Sequence, residues 1–175
     1  GVDGRPVRLI IRDDEHNGAR ARAALDSLAR EGVVAIVGPM TSAMATELIP
    51  EANARKIVLM GGTVVTNKVS GKDDFFFRAI AATSHYAVHS ARIHTRELQP
   101  QRVTVVFDAA NRDYSEDWAR DYAAEMERLN GNKVEVVEMD SRMPQELPGH
   151  LQRILRQTPD LVAFAQLHGL KIGTI

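Results

Sequence analysis

Cysteine is absent from the 175 residues, which excludes disulfides, thiolate metal sites and cysteine nucleophiles while leaving the compartment open. Charge of one sign is missing too: 22 Lys and Arg stand against 23 Asp and Glu, for a net charge of −1. No face-length cluster of basic residues occurs, so the electrostatic footprint of a nucleic-acid binder is not there. No apolar run approaches the roughly 18 residues that span a bilayer, and the opening residues 1–6 carry no leader pattern, an absence that a mature chain would share. A Walker loop, a G-x-S-x-G elbow and a G-x-G-x-x-G fingerprint are all lacking, so no common cofactor or nucleophile motif points to catalysis. What remains is ordinary globular material, 44% hydrophobic and 26% charged, long enough for one domain or two small lobes.

The pattern alternates strands with helices. Apolar or β-branched runs at 7–12, 33–37, 57–60, 103–107, 134–137 and 161–165 read as strands, with a further run at 75–78. Between them lie helical periodicities at about 18–30, 42–54, 84–98 and 147–157. Another helix carries Trp118, Tyr122, Met126 and Leu129 at i, i+4, i+8 and i+11, one apolar stripe that ends at Asn130 and Gly131. Strands alternating with helices of this length imply right-handed βαβ units and parallel sheets, an α/β fold. Around Gln99 and Pro100 the chain is expected to cross from one lobe, 1–99, to another, 100–175.

In open α/β sheets ligands bind beyond the carboxyl ends of the strands, and three loops there carry chemistry. Gly38-Pro39-Met40-Thr41-Ser42 leads from a strand into a helix, whose N-terminus suits a carboxylate; a plain N-cap by Thr41 or Ser42 is the bland alternative. The loop from Gly61 to Asn67 offers the hydroxyls of Thr63 and Thr66, or is simply a turn. The loop from Asp108 to Ser115 offers Tyr114 among acids, with Asp113 or Ser115 as a cap. Asp13-Asp14 resembles the acidic pair of a receiver domain, but no further Asp ends the strand at 33–37, so turn and cap duties explain it better. His85 and His89 share a helix face and His94 follows, yet no third ligand accompanies the pair, so a solvated face is expected rather than zinc. No catalytic residue, metal site or cofactor is expected.

Taken together, GVDGRPVRL at 1–9, Asp13-Asp14, GVVAIVGP at 32–39 with Thr41-Ser42, and KDDFFFR at 72–78 resemble type I periplasmic binding proteins, the family of branched-chain amino acid receptors. Residues 105–118 fit the start of that family's second lobe. The resemblance implies a two-lobed parallel α/β sandwich that closes on a small polar ligand without chemistry. It also implies carboxylate and ammonium contacts that fall at Ser42 beside Thr41, at Thr63 or Thr66, and at Tyr114. Arg112-Asp113 departs from shorter relatives just before the tyrosine. Also implied are a periplasmic or extracytoplasmic location and a membrane permease or signalling partner, with a homodimer left open. The family's first strand and helix would precede residue 1, and its first sheet would centre on that strand, so the chain reads as incomplete, with a disturbed first lobe. Two other readings share the architecture: the effector domain of a transcription regulator and a flavodoxin-like enzyme.

Overall fold

The computed structural model describes residues 1–165. It contains two compact units, Gly1–Thr63 with Asp73–Ala79, and Val64–Lys72 with the chain from Ile80 onward. The expected second lobe runs on to residue 175, and 166–175 lie outside the described residues.

In the first unit, helix α1 (Gly18–Arg30) begins where the Asn17 side chain accepts the N–H groups of Ala19 and Arg20, and it buries Ala21, Leu25 and Leu28. This is the stripe its spacing predicts. Strand β1 (Ala35–Val37), helix α2 (Ser42–Arg55), strand β2 (Val58–Gly61) and strand β3 (Phe76–Arg78) follow. The strands form a parallel sheet in the order β1-β2-β3. One cross-strand row, Ile36, Leu59 and Phe76, includes the fully covered Leu59; α2 packs on β2 and β3. The next row, Val37, Met60 and Phe77, is 75%, 39% and 52% exposed. Successive residues of a strand face opposite ways, so one face of this sheet is clad and the other stands open.

The strand expected at 7–12 does not form. Val7, Leu9 and Ile11 are 71%, 79% and 75% exposed, and side-chain links run from Arg8 to Glu31 and from Arg12 to Glu31 and Ser27. A β-strand exists only through backbone bonds to a neighbour. Among the described residues no strand lies beside this segment, and β1 pairs on one edge only, with β2. The alternating apolar pattern is present, but among the described residues no strand pairs with it.

The second unit is built more fully. Helix α3 (Thr83–Leu98), strand β4 (Val103–Asp108), helix α4 (Arg112–Asn130), strand β5 (Glu135–Met139), helix α5 (Leu147–Arg156) and strand β6 (Leu161–Ala165) give a parallel sheet ordered β5-β4-β6. All six residues of β4 are buried. On one face Val103, Val105 and Phe107 share a core with Ala87 and Ala91 of α3 and with Ala119, Tyr122, Ala123 and Met126 of α4. Trp118 stacks on Tyr122 with ring centroids 4.7 Å apart, and the Tyr122 hydroxyl lies 2.8 Å from His94 Nδ1. The opposite face carries Val106 and Met139, with Ile154 and Leu147 of α5 packed over them. Both faces are clad, as a buried parallel strand requires. Helix α4 ends at Gly131, whose φ of 72° is left-handed and suits a residue without Cβ.

These units divide the chain differently from a break at Gln99 and Pro100. That junction separates the two sheets, but α3, which precedes it, shares its core with α4. Pro100 marks where a helix gives way to a strand. Which sheet the helix joins is decided by the small side chains of Ala87 and Ala91, whose packing partners lie far along the sequence.

Candidate functional site

The first unit brings three of the expected residues together. Strand β1 ends at Val37, and Gly38 follows with a φ of 136° and a cis bond to Pro39; its N–H donates to Met60 O at 2.9 Å, which holds this turn to the end of β2. Thr41 then caps α2. Its hydroxyl accepts the Met44 N–H at 3.4 Å and lies 3.2 Å from His16 Nδ1. Ser42, the first residue of α2, is 1% exposed and sits at the positive end of the helix dipole. From the loop after β2, the exposed Thr63 hydroxyl donates to the main-chain oxygen of Met40. The two strand-end loops are thereby joined, with a threonine, a serine and a helix start in one place. The helix start and the serine hydroxyl suit an anion, whereas the Thr63 hydroxyl, its proton given to Met40 O, is left to accept.

Thr66 is placed otherwise. It belongs to the second unit, is 0% exposed, and donates its hydroxyl to Asp117 Oδ2 at 2.7 Å. Of the two threonines the sequence offers, only Thr63 lies at the surface beside the start of α2.

Tyr114 belongs to the second unit, in the first turn of α4 just beyond β4. It is half-buried, and burial pushes its phenol above the usual range, so it stays neutral at physiological pH. The preceding turn is organised by Asp108, which is 0% exposed. Its Oδ1 accepts the N–H groups of Ala110 and Ser141, each at 3.0 Å, tying the loop after β4 to the loop after β5. Its Oδ2 is buried without a hydrogen-bond partner among the described residues. Ser115 donates back to Asp108 O and Asn111 O. Arg112 lies over the Phe107 ring at 5.3 Å and pairs with Glu138 and Glu116.

The remaining motifs resolve into local structure. Asp13 accepts the Glu15 N–H and Asp14 the His16 N–H, both at 2.8 Å, so the acidic pair shapes the turn before α1. His85 and His89 lie on the exposed face of α3, with Tyr86 and Arg92 along the same shallow groove. Among the described residues no group of three or more His, Cys, Asp or Glu is placed to hold a metal ion, and no helix is long and apolar enough to cross a membrane.

One feature escaped the sequence reading. Asp113, Asp117 and Asp121, one turn apart along α4, bind Lys68, Thr66 and Asn67. The hydrogen bond to Asp113 holds the Lys68 ammonium above its usual pKa. The i, i+4, i+8 spacing of carboxylates was the available signal, but nothing local names their partners.

Solved structures with the same fold are numerous. A leucine binding protein from Thermotoga maritima superposes with a TM-score of 0.83 at 23% identity, over 92% of this chain and 45% of its own. A solute binding protein of an ABC transporter from Rhodopseudomonas palustris, in complex with 4-hydroxybenzoate, gives 0.84 at 20% identity, over 94% and 44%. The branched-chain amino acid transporter substrate binding protein of Streptococcus pneumoniae, in complex with isoleucine, gives 0.78 at 17%, over 94% and 46%. The chain thus spans less than half the length of the solved proteins it matches. No curated protein matches it. A family model described as periplasmic binding protein matches residues 1–170; the chain belongs to the periplasmic binding protein family, a family of binding proteins.

Proposed function

We propose that this chain is part of an extracytoplasmic solute-binding protein that takes a small carboxylate, an amino acid or a similar acid, for an ABC-type uptake system, and leaves it chemically unchanged. The observation that carries this reading is the joined pair of loops in the first unit, where Thr63 is bound to Met40 O next to Thr41 and Ser42. In this reading Ser42, Thr41 and the positive end of α2 hold the carboxylate, while the Thr63 hydroxyl, its proton given to Met40 O, accepts from a ligand ammonium or other donor. Thr66 serves the fold instead. The relatives lend support: leucine, isoleucine and 4-hydroxybenzoate, bound by three different solved proteins, differ in their bodies but share a carboxylate. A membrane permease is the partner such a protein would deliver to.

The test is calorimetric titration of the protein carrying this sequence with leucine, isoleucine, 4-hydroxybenzoate and leucinamide, followed by recovery of the ligand. At least one carboxylate should bind and be recovered intact, and among the leucine pair the amide should bind roughly tenfold or more weaker, the worth of a hydrogen bond to a charged group. Equal binding of leucine and leucinamide, no binding across the panel, or turnover of any of them would overturn the reading.

A further inference from the structure

Three carboxylates on successive turns of one helix face repel one another, and in an isolated helix that spacing is unfavourable. In α4 each is matched by a donor from a single short stretch. The Lys68 ammonium pairs with Asp113. Asp117 Oδ2 accepts both the Thr66 hydroxyl at 2.7 Å and the Asn67 N–H at 3.0 Å, and Asp121 Oδ2 accepts the Asn67 side-chain amide at 2.8 Å. Three consecutive residues are thus read off by three consecutive helical turns.

The same stretch is tied to the start of α3. Asn67 Oδ1 accepts the Ser84 N–H at 3.3 Å, and Thr83 donates its N–H and hydroxyl to Val65 O at 2.7 and 2.6 Å. Val64 and Thr66 are 0% exposed and Val69 is 8% exposed. In chain order this stretch is an excursion. Strand β2 ends at Gly61 and β3 begins at Phe76, both in the first unit, whereas Val64–Lys72 belongs to the second. Glycines stand near both ends of it: at Gly62 an added Cβ would meet nothing within 4 Å, and Gly71 has a φ of 69°.

We propose that the Asp113, Asp117 and Asp121 ladder, with Asp117 as its central anchor, clamps residues 65–68 to the second unit, so that backbone freedom in this crossing is confined to its flanks near Gly62 and Gly71. Asp117 is a positioning residue and touches no ligand. The proposal stands apart from the solute-binding reading, and its test needs no solute.

Amide hydrogen exchange reads the clamp directly, because exchange reports local opening. In Thr66→Val, which keeps the shape of the side chain but removes the hydroxyl that donates to Asp117 and itself accepts the Lys68 N–H at 3.2 Å, the amide of Asn67 should exchange roughly tenfold or more faster, and in Asp117→Ala the amide of Lys68 should do the same. The amide of Val105 in β4 should keep its rate. Thr66→Ser, which restores the hydroxyl, should restore the slow exchange at Asn67. If Asp117→Ala disturbs the whole unit, Thr66→Val decides alone. Unchanged exchange at Asn67 in Thr66→Val would overturn the proposal, as would equal acceleration at Val105, which would make the contact part of global packing.

Discussion

The two units of this chain are built from the same repeating grammar and reach very different completeness. In the second, β4 is flanked on both edges by β5 and β6 and clad on both faces, by α3 and α4 on one side and α5 on the other. In the first, β1 is flanked on one edge among the described residues, the strands are three or four residues long, and Val37, Met60 and Phe77 are exposed. The difference teaches that alternation of strand and helix specifies a layer, whereas stability comes from what covers it. Apolar burial is worth about 25 cal/mol per Å², and an uncovered face collects none of it.

The largest expected effect lies in the core of the second unit. Met126 is 0% exposed within that core, and Met126→Ala should cost about 2–5 kcal/mol through lost transfer energy and a residual cavity. The sequence has one tryptophan, and Trp118 stacks on Tyr122 in this core, so its fluorescence during urea unfolding reads the second unit. The counterpart in the first unit is Ile11→Lys. With Ile11 75% exposed, this change should leave the tryptophan transition within about 0.5 kcal/mol of the original, and should lower self-association seen by light scattering, since exposed apolar patches drive it. A loss from Ile11→Lys comparable to that from Met126→Ala would break the contrast between the units.

A smaller effect concerns the seam between α3 and α4. Hydrogen bonds from Arg128 and Arg92 hold the Glu125 carboxyl down to about 2, below the ordinary glutamate value near 4.3. A depressed carboxyl contributes stability that is fully present above its unfolded value and is lost as pH falls through its folded one. The second unit should therefore lose stability between about pH 4.5 and 2, and Glu125→Gln should flatten that part of the curve measured by tryptophan fluorescence. An unaltered acid limb in Glu125→Gln would remove this pair from the contrast.

How much was legible in the sequence follows the same line between local and non-local causes. The last strand spans 161–165 as its apolar run implies, β2 and β4 lie within a residue of the runs at 57–60 and 103–107, and the burial of Ala21, Leu25 and Leu28 follows from spacing alone. These are properties of one segment. The run at 7–12 has equal local merit and forms no strand, because its fate depends on a neighbour. Thr41 as a cap and Thr63 beside the helix start follow from loop position in a parallel sheet. Thr66 could not be separated from Thr63 by pattern, since the acceptor of its hydroxyl, Asp117, lies 51 positions later in the chain. The assignment of α3 to the second unit has the same origin in packing that no window of sequence contains.

The most direct measurement of the central claim compares the affinity of the tightest binder among leucine, isoleucine and 4-hydroxybenzoate for the protein carrying this sequence and for its Ser42→Ala variant, with helix content checked by circular dichroism. Loss of one hydrogen bond to a charged group should weaken binding by roughly tenfold or somewhat more. Some affinity should survive, because the dipole of α2 is main chain and remains. A change smaller than about twofold, roughly 0.4 kcal/mol, in a variant with intact helix content would contradict the placement of the carboxylate at the start of α2.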